Sequence, residues 1–172
     1  MSARPFPTTD WPQGSVGEDV RDPALREACR LIEQRPSSEG ETHALLVVHR
    51  GQVVHEFYGE GINQDSTLIS WSMAKSMTQA LVGMAVKDGV LNISDSHLLP
   101  QWESDGRRDI TLDDLLTMRS GLSWIEDYVD GSVSDVIEML FAESEFTGDH
   151  ASYAASKPLL HTPGTRWLYS SG

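Results

Sequence analysis

Apolar and polar positions change their period along the chain, and this change predicts one β-hairpin within a mostly helical protein. After an irregular arm, apolar side chains recur at helical spacing, with Asp22 as N-cap and Pro36 as terminator of a first helix. The apolar run 44–48 and the β-branched and aromatic segment 53–57 then flank a short turn and predict two antiparallel strands.

Further helices are predicted after the hairpin. One carries an apolar stripe and ends at Gly89, and another opens at an acidic capping box formed by Thr111 and Asp114. A later helix has Ser132 or Ser134 as its cap, and a Pro-Gly turn near the end of the sequence leads into a short extended run. Strands and helices are therefore segregated, which predicts an α+β fold.

The hairpin also predicts how the domain is organised. We expect residues 1–41 to form an N-terminal arm and helix, and residues 42–172 to form part of a single domain. A lone two-stranded hairpin is barely stable in water and has unpaired edges, yet no convincing further pair of strands follows. We therefore expect the chain to be truncated at its C-terminus, before the sheet is complete.

Charge, the length of apolar runs and the cysteine count argue against several classes of protein. The 172 residues include 13 basic and 26 acidic side chains, and the formal charge of −13 argues against a nucleic-acid partner. No apolar run approaches the roughly 18 residues of a membrane helix, and no secretory signal is visible. Because Cys29 is the only cysteine, no internal disulfide can form, and we predict a cytoplasmic protein of undetermined oligomeric state.

Histidines in the hairpin are the first candidates for chemistry. His43, His49 and His55 are spaced by six residues, which is not a spacing typical of metal ligands, and H-E-x-x-H and C-x-x-C are absent. Glycine-rich phosphate-binding patterns are absent as well. We expect scattered surface histidines, with no metal and no other cofactor.

The segment Ser72-Met73-Ala74-Lys75 is the strongest candidate for a reactive site. Its S-x-x-K spacing places the hydroxyl and the amine on one face of a helix, one turn apart. The helix N-terminus adds free N–H groups and a positive field, so that nucleophile, base and oxyanion donors come together. The alternative is an ordinary helix cap followed by an exposed lysine.

A tyrosine near the end of the chain offers a second reactive group. Tyr169 follows the Pro163-Gly164 turn in the tripeptide Y-S-S. A tyrosine beside a lysine can relay a proton to a leaving group, because both side chains titrate near pH 10. In isolation, the tripeptide is equally typical of the end of a strand.

S-x-x-K after a hairpin, followed by Y-S-S after a Pro-Gly turn, resembles the penicillin-recognising serine hydrolases. This family contains class C β-lactamases, related esterases and D-amino-acid peptidases. The resemblance covers about residues 42–172, and residues 71–76 and 126–130 are most similar to the branch of aminohexanoate-dimer hydrolases and small esterases. It implies a β-lactamase-like fold, an antiparallel sheet flanked by helices with an added helical region.

The resemblance also implies residue roles. Ser72 is the nucleophile that is acylated, Lys75 accepts its proton, and Tyr169 shares that proton and passes it to the leaving group. Ser171 stands where the family more often has the asparagine of Y-x-N, which favours an esterase or linear amidase over a dedicated β-lactamase. Tyr128 is either a substrate contact or a loop aromatic packed on the helical region.

These roles predict a function and a geometry. We expect a serine hydrolase that cleaves small esters, linear amides or β-lactams through an acyl-serine intermediate. The alternative is a non-catalytic binding module, or an inactive fragment, with the same fold. An ordinary lysine, with a pKa near 10.4, is neutral less than about once in a thousand at pH 7. Lys75 should therefore be at least half-buried, with its nitrogen near Ser72 and Tyr169.

Overall fold

The structure is a computed structural model that describes residues 10–15, 22–129, 131–143 and 145–172. The chain divides into two compact units, the first ending at Ile69 and the second spanning Ser70–Gly172. The domain boundary at residue 42 stays a prediction. Most of the predicted arm, residues 1–9 and 16–21, lies outside the described residues.

The first unit contains the predicted helix and hairpin. Helix α1 spans Asp22–Glu33, and strands β1 (Ala44–His49) and β2 (Gln52–Tyr58) pair in antiparallel register. Arg50 and Gly51 both have positive φ, 51° and 79°, as a two-residue turn needs if it is to match the twist of the strands. The predicted hairpin is confirmed.

The described part of the arm is more regular than predicted. Gln13 forms a parallel bridge with Val53, because the amide of Gly14 donates to the Val53 carbonyl and the Val53 amide donates to the Pro12 carbonyl, both over 2.9 Å. Proline and glycine are poor strand formers, so this short contact has no signal in the hydrophobic pattern. Apart from this isolated bridge, the described arm residues 10–15 form no helix or strand, and the irregular arm stays a prediction.

Among its described residues, the second unit contains four α-helices and short 3₁₀ turns. The helices are α2 (Ala74–Lys87), α3 (Leu112–Leu116), α4 (Asp135–Phe141) and α5 (His150–Ser156). The turns are Trp71–Met73, Pro100–Trp102 and Gly106–Asp109. Helix α2 ends as predicted, with Gly89 at a φ of 72° just after its last turn. In the described part of the chain, no helix combines the length and apolar character needed to cross a bilayer.

Local capping sets where two of these helices begin. The predicted capping box is present, because the Asp114 amide donates to Thr111 Oγ1 and the Thr111 amide donates to the Asp114 carboxylate, each over 3.1 Å. Ser134 caps α4 by accepting from the Ile137 amide, whereas the Ser132 hydroxyl donates to a loop carbonyl. The structure thus decides between the two predicted caps in favour of Ser134.

Two apolar clusters form the core of the second unit. The first contains Trp102, Ile110 and Ala155, and the second contains Trp124, Val136 and Tyr153. The edge of Trp124 meets the ring of Tyr153, with ring centroids 6.2 Å apart and planes at 82°. The second cluster therefore lies under the loop 124–129, which carries several of the polar groups described next.

Candidate active site

Ser72 and Lys75 lie at the junction between a 3₁₀ turn and α2. Ser72 is exposed in the turn Trp71–Met73, and Lys75 is the second residue of α2. The spacing of three brings Lys75 Nζ to 3.4 Å from Ser72 Oγ. Ser72 thus precedes the α-helix on which the S-x-x-K spacing places it. Trp71 has a φ of 44°, a left-handed conformation that an α-helix excludes and that is costly for a bulky side chain.

Tyr169 reaches the same hydroxyl from the far end of the chain. Its Oη lies 2.6 Å from Ser72 Oγ, although the two residues are 97 positions apart. The segment that carries Tyr169 is held in place by backbone hydrogen bonds. The Gly164 amide donates to the Arg119 carbonyl over 2.8 Å, and the Leu168 amide donates to the Met118 carbonyl over 2.9 Å.

The surroundings of Tyr169 favour its ionised form. Its hydrogen bond with the Ser72 hydroxyl, and then that with the Lys75 side chain, hold the pKa of Tyr169 below its ordinary value. Lys75 Nζ also lies 5.0 Å from the centroid of the Tyr169 ring. The phenolate form of Tyr169, which can accept a proton, is therefore more populated at neutral pH than in an ordinary tyrosine.

Ser171 contacts Lys75 as well. Its Oγ accepts from Lys75 Nζ over 2.9 Å and donates to Glu126 Oε1 over 2.7 Å. Lys75 is half-buried and contacts Ser72, Ser171 and the Tyr169 ring. This placement agrees with the half-buried lysine expected from the sequence.

Tyr128 lies beside this group. Its hydroxyl donates to Glu126 Oε1 over 2.7 Å, and this hydrogen bond to a carboxylate raises the pKa of Tyr128. The residue is 55% exposed, so its ring is open to a bound molecule rather than enclosed among the helices. Its role as a substrate contact stays a prediction.

Glu126 is the residue of this site that the sequence analysis missed. Its carboxylate accepts from Trp124 Nε1 over 2.7 Å and from the Ser171 amide over 2.8 Å, in addition to the hydroxyls of Ser171 and Tyr128. Burial raises the pKa of Glu126, but these hydrogen bonds outweigh burial and lower it overall. A loop glutamate in an acidic chain carries no sequence signal beyond its position between Trp124 and Tyr128.

An open cleft of about 380 Å³ adjoins these groups within the second unit. Its polar lining is Ser72, Lys75, Thr78, Tyr128, His150 and Ser171, and its apolar lining includes Val136, Met139 and Leu140. A pocket with a few convergent polar groups on one side and aliphatic groups on the other is typical of sites for small molecules.

Comparisons with known proteins give the family and the fold of the chain. The family model for beta-lactamase matches residues 30–172. The chain belongs to the beta-lactamase family. A solved structure from Bacillus anthracis, provisionally named a 6-aminohexanoate-dimer hydrolase, shares the fold of this beta-lactamase-family chain with a TM-score of 0.62 at 18% sequence identity. The comparison with curated proteins gives no match.

The family and the α+β, β-lactamase-like fold predicted from the sequence are thereby confirmed. The structural similarity covers 94% of this beta-lactamase-family chain but 45% of the Bacillus anthracis chain. The chain therefore spans less than half the length of that neighbour.

Proposed function

We propose that the protein is a serine hydrolase that cleaves small esters or amides through an acyl-Ser72 intermediate. The observation that carries this proposal is the position of the Ser72 hydroxyl, 2.6 Å from Tyr169 Oη and 3.4 Å from Lys75 Nζ. A hydroxyl between two basic groups is the arrangement that nucleophilic catalysis requires. Membership of the beta-lactamase family supports the same reaction class.

In the proposed reaction, Ser72 Oγ forms a bond to the substrate carbonyl carbon while its proton passes to the Tyr169–Lys75 pair. The carbonyl electron pair moves onto oxygen, and the tetrahedral intermediate collapses when the leaving group departs with a proton from Tyr169. Water then attacks the acyl-Ser72 ester by the same steps, which releases the acid and restores the serine.

The two distances to Ser72 Oγ suggest which of Tyr169 and Lys75 accepts its proton first. Tyr169 is nearer to Ser72 than Lys75 is, so we propose that the proton passes first to Tyr169. Before the attack, the charge of the Lys75 ammonium stabilises the Tyr169 phenolate, in keeping with the lowered pKa of Tyr169, and Tyr169 becomes the phenol when it takes the Ser72 proton. We thus assign the first acceptance of the proton, expected of Lys75 with Tyr169 sharing it, to Tyr169 with Lys75 as its charged partner.

We propose small esters and linear amides as the substrate class. The cleft offers an aliphatic wall, formed by Val136, Met139 and Leu140, for the chain on one side of the scissile bond. The name of the Bacillus anthracis neighbour points to linear amides, and Ser171 in place of the family's usual asparagine points the same way. β-Lactams are a further candidate from family membership.

Hydrolysis of p-nitrophenyl butyrate tests this function. We expect a pre-steady-state burst of p-nitrophenol, and we expect Ser72→Ala to remove the burst and to lower kcat by at least about 1,000-fold. Ser76→Ala is the matched control, because Ser76 lies on the same helix without a place in the proposed chemistry. Equal loss of activity in both variants, or a burst that survives Ser72→Ala, would contradict the proposal.

A further inference from the structure

Both oxygens of the Glu126 carboxylate accept hydrogen bonds from neighbouring donors. Each of its oxygens accepts two hydrogen bonds: Oε2 from Trp124 and from the Ser171 amide, and Oε1 from the hydroxyls of Ser171 and Tyr128. The Ser171 side chain is the member of this group that also touches the reactive residues, through its hydrogen bond from Lys75. Glu126 is thus joined to Lys75 through one hydroxyl.

The direction of that hydroxyl follows from the two groups that flank it. A serine hydroxyl has one hydrogen to donate and two lone pairs to accept, whereas an ammonium group has only donors and an ionised carboxylate only acceptors. With its hydrogen directed to Glu126, Ser171 Oγ presents a lone pair to Lys75 Nζ at 2.9 Å. If the hydrogen turned away from Glu126, the lysine would lose a fixed acceptor.

We propose that Glu126 is a positioning residue that orients the Ser171 hydroxyl and thereby holds Lys75 toward Ser72. This inference rests on the proposed serine hydrolase function. The hydrogen bonds described for Glu126 reach neither the nucleophile nor Tyr169, and its charge is the smallest of the influences on the pKa of Tyr169, so we assign its action to Ser171. Charge-assisted hydrogen bonds of about 2.7 Å are strong enough to hold such an orientation.

The substitution Glu126→Gln separates this role from a role in folding. The amide oxygen of glutamine can still accept from the Trp124 indole and the Ser171 amide. Its NH₂ group must then face the hydroxyls of Ser171 and Tyr128, and both hydroxyls can rotate to accept. The loop keeps its hydrogen bonds, but the Ser171 hydrogen is no longer directed away from Lys75.

We expect Glu126→Gln to lower kcat for p-nitrophenyl butyrate by about 10- to 100-fold while KM changes less than about threefold, because misplaced catalytic groups cost rate rather than binding. Glu138→Gln is the matched control, since Glu138 also accepts from a tyrosine hydroxyl, that of Tyr153, over 2.7 Å. We expect the control to keep the kcat of the unchanged protein.

A double-mutant cycle with Ser171→Ala tests whether Glu126 acts through Ser171. We expect Glu126→Gln to cost little further kcat once Ser171 is alanine, because the hydroxyl that it orients is gone. Independent, multiplicative losses would overturn the inference, as would an unchanged kcat in Glu126→Gln. A protein whose burst does not depend on Ser72 would instead overturn the proposed function itself, so the two failures are distinguishable.

Discussion

A largely buried ion pair between α4 and the residue that follows α5 predicts a loss of stability on substitution. Lys157 Nζ lies 2.6 Å from Asp135 Oδ1, and their side chains are 17% and 12% exposed. The second oxygen of Asp135 accepts from the Ile125 amide over 2.6 Å, and Lys157 Nζ also donates to Tyr153 Oη over 2.8 Å. The pair therefore holds the loop that carries Glu126 against both helices.

The expected magnitude follows from this burial. Removing one partner of a buried pair costs about 3–5 kcal/mol, because a buried charge is left uncompensated. We expect Asp135→Asn to lower the free energy of unfolding by about 3 kcal/mol, the lower end of that range, since Lys157 keeps its contact with Tyr153. Lys157→Met should cost a similar amount, and the double variant should cost about 1–3 kcal/mol less than the two together.

Urea unfolding followed by tryptophan fluorescence measures these changes, and Trp124 reports on the site because its ring packs against Tyr153. The control is Asp113→Asn, which breaks a 3.0 Å pair with Arg119 whose side chains are 44% and 40% exposed. It should cost less than about 1 kcal/mol. An Asp135→Asn protein that loses no more stability than the control would refute this reasoning.

Three further substitutions, one of them with a matched control, have defined outcomes. In the unchanged protein, we expect kcat/KM to rise with pH as Tyr169 ionises, with a midpoint below pH 10 because the pKa of Tyr169 is lowered. Tyr169→Phe should lower kcat/KM about 100-fold or more and abolish this rise. A variant with the pH profile of the unchanged protein would contradict this. Thr111→Ala should cost about 1 kcal/mol in urea unfolding through loss of the helix cap, and a neutral result would argue against the cap. Gly121→Ala should cost about 3 kcal/mol or more, since a Cβ would meet the His161 carbonyl oxygen at 2.2 Å. Gly148→Ala, at the same φ of 80° but in open space, should cost only about 1 kcal/mol, and equal losses would contradict the steric argument.

Features decided within a few residues could be predicted from the sequence. The capping box at Thr111 depends on a partner three positions away, and the tight hairpin depends on the two residues between its strands. Ser72 and Lys75 likewise meet because helical geometry brings positions three apart together. In each of these cases, periodicity and local chemistry are sufficient to predict the structure.

Features that depend on distant partners could not be predicted in this way. The contact of Tyr169 with Ser72 spans 97 positions and was expected only from the resemblance to a family. Glu126 resembles any solvated glutamate until Ser171, 45 positions later, donates to it. The left-handed conformation of Trp71 has no local signal either, because aromatic residues rarely adopt it.

Covalent trapping of Ser72 tests the central claim most directly. The protein is incubated with a fluorophosphonate, and the adduct is measured by intact mass and located by peptide mapping. We expect stoichiometric labelling of Ser72 that is slowed by Tyr169→Phe and absent in Ser72→Ala, because an activated serine attacks phosphorus as it attacks a carbonyl. The absence of an adduct, or an adduct that persists in Ser72→Ala, would contradict the proposed acyl-serine chemistry.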